Sequence, residues 1–129
     1  MAKRKPAIQL TEVELELMLI LWHLGEGTVH KVLEQLPVSR PMAYTTVSTM
    51  IRILEKKGVV ASRKVGKAHI YSPRVSKEDY EASALGKVMH TLFSNPVALV
   101  ARLVDDHELS AEEITEIKKL LNRKQARKS

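Results

Sequence analysis

Thr45, Thr49, Arg52 and Lys56 recur at steps of four, three and four residues, which would align them along one face of a helix. Thr46 and Ser48 flank that row. Hydroxyls and a guanidinium so arranged have the reach and the donors to read base edges of duplex DNA. Arg binds guanine through two parallel bonds, and a Thr methyl packs on the thymine methyl. Base-edge contact is assigned to Thr45, Ser48, Thr49 and Arg52, and phosphate contact to Thr46 or Tyr44. An ordinary solvated helix face is richer in Glu. Here Glu55 is the one acid among eight basic residues between Arg40 and Arg74. Arg40 before the row, and Arg63, Lys64, Lys67 and His69 after it, suit phosphate or minor-groove contact. The same charges would also guard an exposed strand edge against aggregation, and both roles are compatible. Lys3, Arg4 and Lys5 read equally as a minor-groove arm or as a loose basic terminus.

These residues need elements to hold them. Val38 to Pro41 reads as a turn, and a helical pattern follows from Ala43 to Lys57 with Ala43, Val47, Met50, Ile51 and Leu54 on its apolar face. Ile53 lies off that stripe. Gly58 stands where a left-handed C-cap is wanted. Alternating segments 59–65 and 68–72, joined by Gly66 and Lys67, predict a hairpin. Upstream, Thr11 to Glu14 has capping-box spacing and opens a helix that Gly25 and Gly27 end. Val13, Leu17, Ile20, Leu21 and Leu24 form one apolar face, and Leu15, Met18, Leu19 and Trp22 a second, so burial between two layers is expected. Thr28 caps a short helix over 29–36. Residues 8–74 thus read as a helix-turn-helix ending in a β-wing.

Beyond Pro73 the pattern is helical only. Ser76 caps a helix to Phe93, Asn95 and Pro96 start one over 97–104, and Ser110 to Glu113 is a second capping box for a helix to Arg123. Three such helices cannot bury their apolar stripes alone. A second copy is the expected cover, giving a homodimer that doubles the DNA-binding surface. Dimerisation is assigned to Leu85, Val88, Met89, Leu92, Val100, Leu103, Val104, Ile114, Ile117, Leu120 and Leu121 within region 75–124. Residues 125–129 lack apolar periodicity and are expected to be disordered. The fold class is mostly α with a small β-wing: a winged helix-turn-helix plus a helical dimerisation module.

Composition agrees with this division. Residues 1–74 hold 12 Lys and Arg against 6 Asp and Glu, and residues 75–129 hold 9 of each, so the formal charge of +6 belongs to the first half. That favours a polyanion partner for the first half and another task for the second. With no cysteine, disulfides, thiolate zinc sites and thiol redox sensing are excluded. No apolar run is long enough to span a bilayer and no signal core follows the basic start, so no membrane role and a cytoplasmic location are expected. His23, His30, His69, His90 and His107 lack close metal-ligand spacing, and Asp105 to Glu108 reads as solvated loop charge, so no metal and no cofactor are expected. No nucleophile–base set, phosphate loop or carboxylate pair points to an enzyme.

Several blocks resemble the penicillinase-repressor family, which includes β-lactamase, methicillin-resistance and copper-transport repressors. They are Leu10-Thr11-Glu12 with Glu14, Met18, Leu21 and Trp22; Thr28-Val29; Ala43-Tyr44-Thr45-Thr46-Val47 with Thr49-Met50; Arg52-Ile53-Leu54-Glu55-Lys56-Lys57-Gly58; Tyr71-Ser72-Pro73; and Glu108-Leu109-Ser110 with Glu113, Ile114, Leu120 and Leu121. The resemblance implies a winged-helix domain, a C-terminal dimerisation module, and repression by a dimer on a dyad-symmetric operator. It also implies an operon of antibiotic-response or metal-homeostasis type, and a sensor or protease that relieves repression. Two features depart from it. Arg102-Leu103 stands where antibiotic-responsive members carry a cleaved Asn-Phe bond, and the C-terminal metal-binding cysteines of copper-responsive members are missing.

The expected function is a homodimeric, DNA-binding transcriptional repressor. The alternatives are a regulator that binds its effector directly and a winged-helix protein-interaction module.

Overall fold

The computed structural model describes residues 9–128; Lys3, Arg4 and Lys5 lie outside the described residues. Eight elements follow in order: α1 (Glu12–Leu24), α2 (Val29–Glu34), α3 (Tyr44–Lys56), β1 (Val60–Val65), β2 (Ala68–Pro73), α4 (Lys77–Leu92), α5 (Pro96–Asp106) and α6 (Ala111–Lys128). The chain divides into two compact units, the first reaching Gly86 and the second starting at Lys87. The division falls inside α4.

In the first unit, α1 to α3 pack around one core with the hairpin against them. Leu17, Met18 and Leu21 from α1, Val29 and Val32 from α2, and Val47, Ile51 and Leu54 from α3 meet Val59, Val60 and Tyr71. Every one of these is buried. The expected double-sided burial of α1 is corrected here. Its buried residues are Glu14, Leu17, Met18 and Leu21, a single stripe at helical spacing. Leu19 is exposed, and Trp22 is half-buried between the core and the start of α4. There the Trp22 indole donates to the Val75 carbonyl at 2.8 Å, and its ring lies 5.8 Å from that of Tyr80.

The hairpin is antiparallel, with Val65 paired to Ala68 and Val60 to Pro73. Gly66 makes the turn at φ +62°, a conformation glycine adopts without penalty. Its root is tied to the helices by a backbone bridge: Gly27 N–H donates to the Tyr71 carbonyl at 2.9 Å, and Tyr71 N–H to that of Gly27 at 2.8 Å.

The second unit is helical throughout. Asn95 caps α5 and Ser110 caps α6, the latter in a reciprocal pair with Glu113. α6 runs on to Lys128, where disorder was expected. The cause is local. Gln125, Ala126, Arg127 and Lys128 are good helix formers, and the basic last turn complements the helix dipole. Apolar periodicity reports packing, so its loss did not mark the end of the helix.

Candidate nucleic-acid interface

α3 starts where Ala43 takes an extended conformation, without a side-chain cap. It stops at Gly58, whose φ of +84° turns the chain into β1. Thirteen residues between these ends make an amphipathic helix whose buried seam is Val47, Ile51 and Leu54. Fixing that seam inward points Thr45, Thr49, Arg52 and Lys56 outward, and all four are exposed. Tyr44 and Thr46 are exposed on the first turn, and Ser48 is half-buried. The structure thus brings the proposed reading residues onto one continuous surface. Thr45, Thr46, Thr49 and Met50 line a shallow depression of about 270 Å³ on it. Ile53 is partly exposed beside this row.

The hairpin sorts the basic residues that follow. Side chains alternate across a strand, so neighbours Arg63 and Lys64 project to opposite faces. Ser62 lies on the Lys64 side and donates to Glu55 of α3 at 2.6 Å, which fixes that side as the one facing α3. Lys64 pairs in register with His69, and Lys67 sits in the turn. All three are exposed and lack an ion-pair partner among the described residues.

Arg63 behaves differently. It grips Glu26 of the α1–α2 loop through two bonds of 2.7 and 3.1 Å. The ion pair holds the Glu26 carboxyl below its ordinary range and raises the guanidinium in turn. Arg40 likewise holds Glu16 of α1 through two bonds of 3.1 and 3.0 Å. Each of the two is half-exposed but already neutralised.

Between α2, α3 and the hairpin lies an open cleft of about 370 Å³. Thr28 and His30 line one wall, Tyr44, Ser48 and Arg52 the second, and Lys67, His69 and Tyr71 the third. His30 packs on Tyr44 with ring centroids 4.8 Å apart. Sequence reasoning passed over His30, because it sought histidines at metal-ligand spacing. The available signal was its place two residues after the Thr28 cap, on the helix preceding the basic one.

α3 against its two supporting helices, with a basic hairpin beside it, defines a winged helix-turn-helix. Comparison with known proteins carries this further. Residues 10–123 match the penicillinase repressor family. Over 121 residues the chain is 26% identical to the penicillinase repressor of Bacillus licheniformis, covering 93% of this chain and 94% of that protein. It is also 26% identical over 117 residues to the methicillin resistance regulatory protein MecI of Mammaliicoccus sciuri, covering 90% and 95%. The fold resembles the solution structure of the monomeric form of Bacillus licheniformis BlaI in complex with the blaP half-operator. The TM-score is 0.50 at 28% identity, covering 60% of this chain and 94% of that one. The chain belongs to the penicillinase repressor family. It is a DNA-binding transcriptional repressor of the winged-helix type.

Among the described residues no helix is long and apolar enough to cross a membrane, and no group of three or more His, Asp or Glu could hold a metal ion.

Proposed function

We propose that the repressor acts as a homodimer, each protomer laying α3 in a major groove of a dyad-symmetric operator. Half-sites would then lie about one helical turn apart, or a multiple of it. The observation that carries this reading is the outward row Thr45, Thr49 and Arg52, held by the buried seam behind it and opposed by no acid on that face. Thr45, Ser48, Thr49 and Arg52 read base edges; Tyr44, Thr46, Lys64, Lys67 and His69 hold the backbone. Arg63 and Arg40 take supporting roles, since each is bound to an acid of α1 or its following loop. The relative solved with a half-operator supports pairing one protomer with half a site.

Dimerisation belongs to the second unit and the helix leading into it. α4, α5 and α6 contain no buried residue, and Leu85, Val88, Leu92, Val100, Leu103, Val104, Ile114, Leu120 and Leu121 are all exposed. Met89 and Ile117 are half-buried on the same helices. So much apolar surface is stable when a second copy covers it. The regulated operon is of the antibiotic-response type, as the names of the relatives support. Arg102–Leu103 stands in the place of the bond cleaved in antibiotic-responsive members and lacks their Asn-Phe pair. It lies inside α5, with Arg102 paired to Asp106 at 2.9 Å.

Footprinting on DNA upstream of the protein's own gene, across a salt series, tests the reading. A protected dyad-symmetric site is expected, with affinity falling steeply as salt rises. Arg52→Ala should cost about 1–3 kcal/mol of preference for the site over other DNA. Lys67→Ala should weaken all sequences alike. If Arg52→Ala leaves the specific-to-nonspecific ratio intact, α3 is not the reading face.

A further inference from the structure

The cleft beside α3 holds more cationic chemistry than base reading requires. His30 from α2, Tyr44 and Arg52 from α3, and Lys67, His69 and Tyr71 from the hairpin line it, and no carboxylate does. The nearest acid of the α1–α2 loop, Glu26, is engaged by Arg63. Each of the three walls therefore supplies at least one nitrogen donor. A tetrahedral oxyanion needs such an arrangement: several donors converging from different directions, with positive charge and no competing carboxylate. The open cleft of about 370 Å³ accommodates one phosphate group with its ester chain running out along the surface.

The geometry points to this cleft as a phosphate seat whose grip depends on pH through His30 and His69. A neutral imidazole offers one N–H. Its protonated form offers two and adds a charge, and imidazole is the side chain that makes this change between about pH 5 and 8. The two rings stand on separate walls, His30 held by Tyr44 at 4.8 Å and His69 beside Tyr71 at 6.4 Å. Lys67 supplies the grip that remains when both imidazoles are neutral. Protonation and phosphate binding are thereby linked: each strengthens the other. The seat rests on the DNA-binding reading for the source of its phosphate, a DNA strand. A free phosphate anion presents the same oxygens.

The test uses the full chain with two probes, a duplex from upstream of its own gene and inorganic phosphate. Duplex affinity is measured at constant ionic strength from about pH 8 to about pH 5.5, for wild type, His30→Gln, His69→Gln and the double variant. Wild type should tighten by roughly tenfold over the range, each single variant should lose part of that change, and the double variant should lose all of it. Lys67→Ala should bind more weakly at every pH and keep the wild-type change. A double variant with the wild-type pH dependence overturns the proposal.

Imidazole resonances of His30, followed by NMR, separate the sources. If the duplex moves them and inorganic phosphate does not, the strand is the ligand. If both do, the seat also takes free phosphate. If phosphate moves them while the duplex binds at no pH, the seat stands and the DNA reading fails. If neither moves them, there is no seat.

Discussion

Glu14 is the buried charged side chain among the described residues, and it joins two elements. Its carboxylate accepts from the Thr11 N–H at 2.8 Å, completing the α1 capping box, and from the Lys57 ammonium at 2.7 Å, at the C-cap of α3. Burial pushes the carboxyl up. The Lys57 bond and the Thr11 N–H outweigh it, and the group ends below its ordinary value of 4.5. The folded state thus holds this proton less tightly than the unfolded chain does. The resulting stability is present above about pH 4.5 and drains away as pH falls through the depressed value. Glu14→Gln should cost about 2 kcal/mol near neutral pH, and the gap to wild type should close in acid. Denaturant melts at a series of pH values check this, and a gap that is constant with pH would remove the ion pair from the account. Half of this residue was legible in the sequence. Spacing gives the capping box, because both partners lie within one turn. Nothing local reveals Lys57, because a helical wheel shows which face a residue takes and not what crosses to meet it.

At the scale of elements, α3 was legible because two independent signals agree on it. Val47, Ile51 and Leu54 give its period, and Gly58 gives its end. A side chain added at Gly58 would meet no atom within 4 Å, so any cost of Gly58→Ala comes from the φ of +84° alone. That cost should be about 1–2 kcal/mol, read as a lower melting temperature, with base preference unchanged. Unaltered stability would show that the helix ends without needing this conformation. One reading failed at the same scale: α1 was expected to bury both faces, and Leu19 is left outside a single-stripe helix. A helical wheel shows where the apolar residues lie and not which of them a neighbour covers. Strand alternation places Arg63 and Lys64 on opposite faces, with Arg63 on Glu26. The cleft wall at His30 was illegible because three elements distant in sequence build it.

At the scale of the molecule, charge and apolar surface are segregated. The first 74 residues carry the whole basic excess, and the exposed leucines and valines of α4 to α6 lie beyond them. Sedimentation of the 14.5 kDa chain should show twice that mass at working concentrations. Leu103→Glu combined with Leu121→Glu should shift it towards the single-chain mass and weaken operator binding more than nonspecific binding. A single-chain mass at every concentration, with full helicity, would mean that these helices need no second copy. The bridge between Gly27 and Tyr71 also bears on the order of assembly. A two-residue hairpin closes quickly from its own turn, within about 1–10 μs. Its attachment, however, spans the chain from residue 27 to residue 71, so it must wait until the intervening helices have collapsed and the entropy of that long loop has been met. Docking of the hairpin is therefore a non-local step, set by closure of the loop between residues 27 and 71. A fault in the loop after α1 would leave α3 formed and the hairpin without its backbone tie.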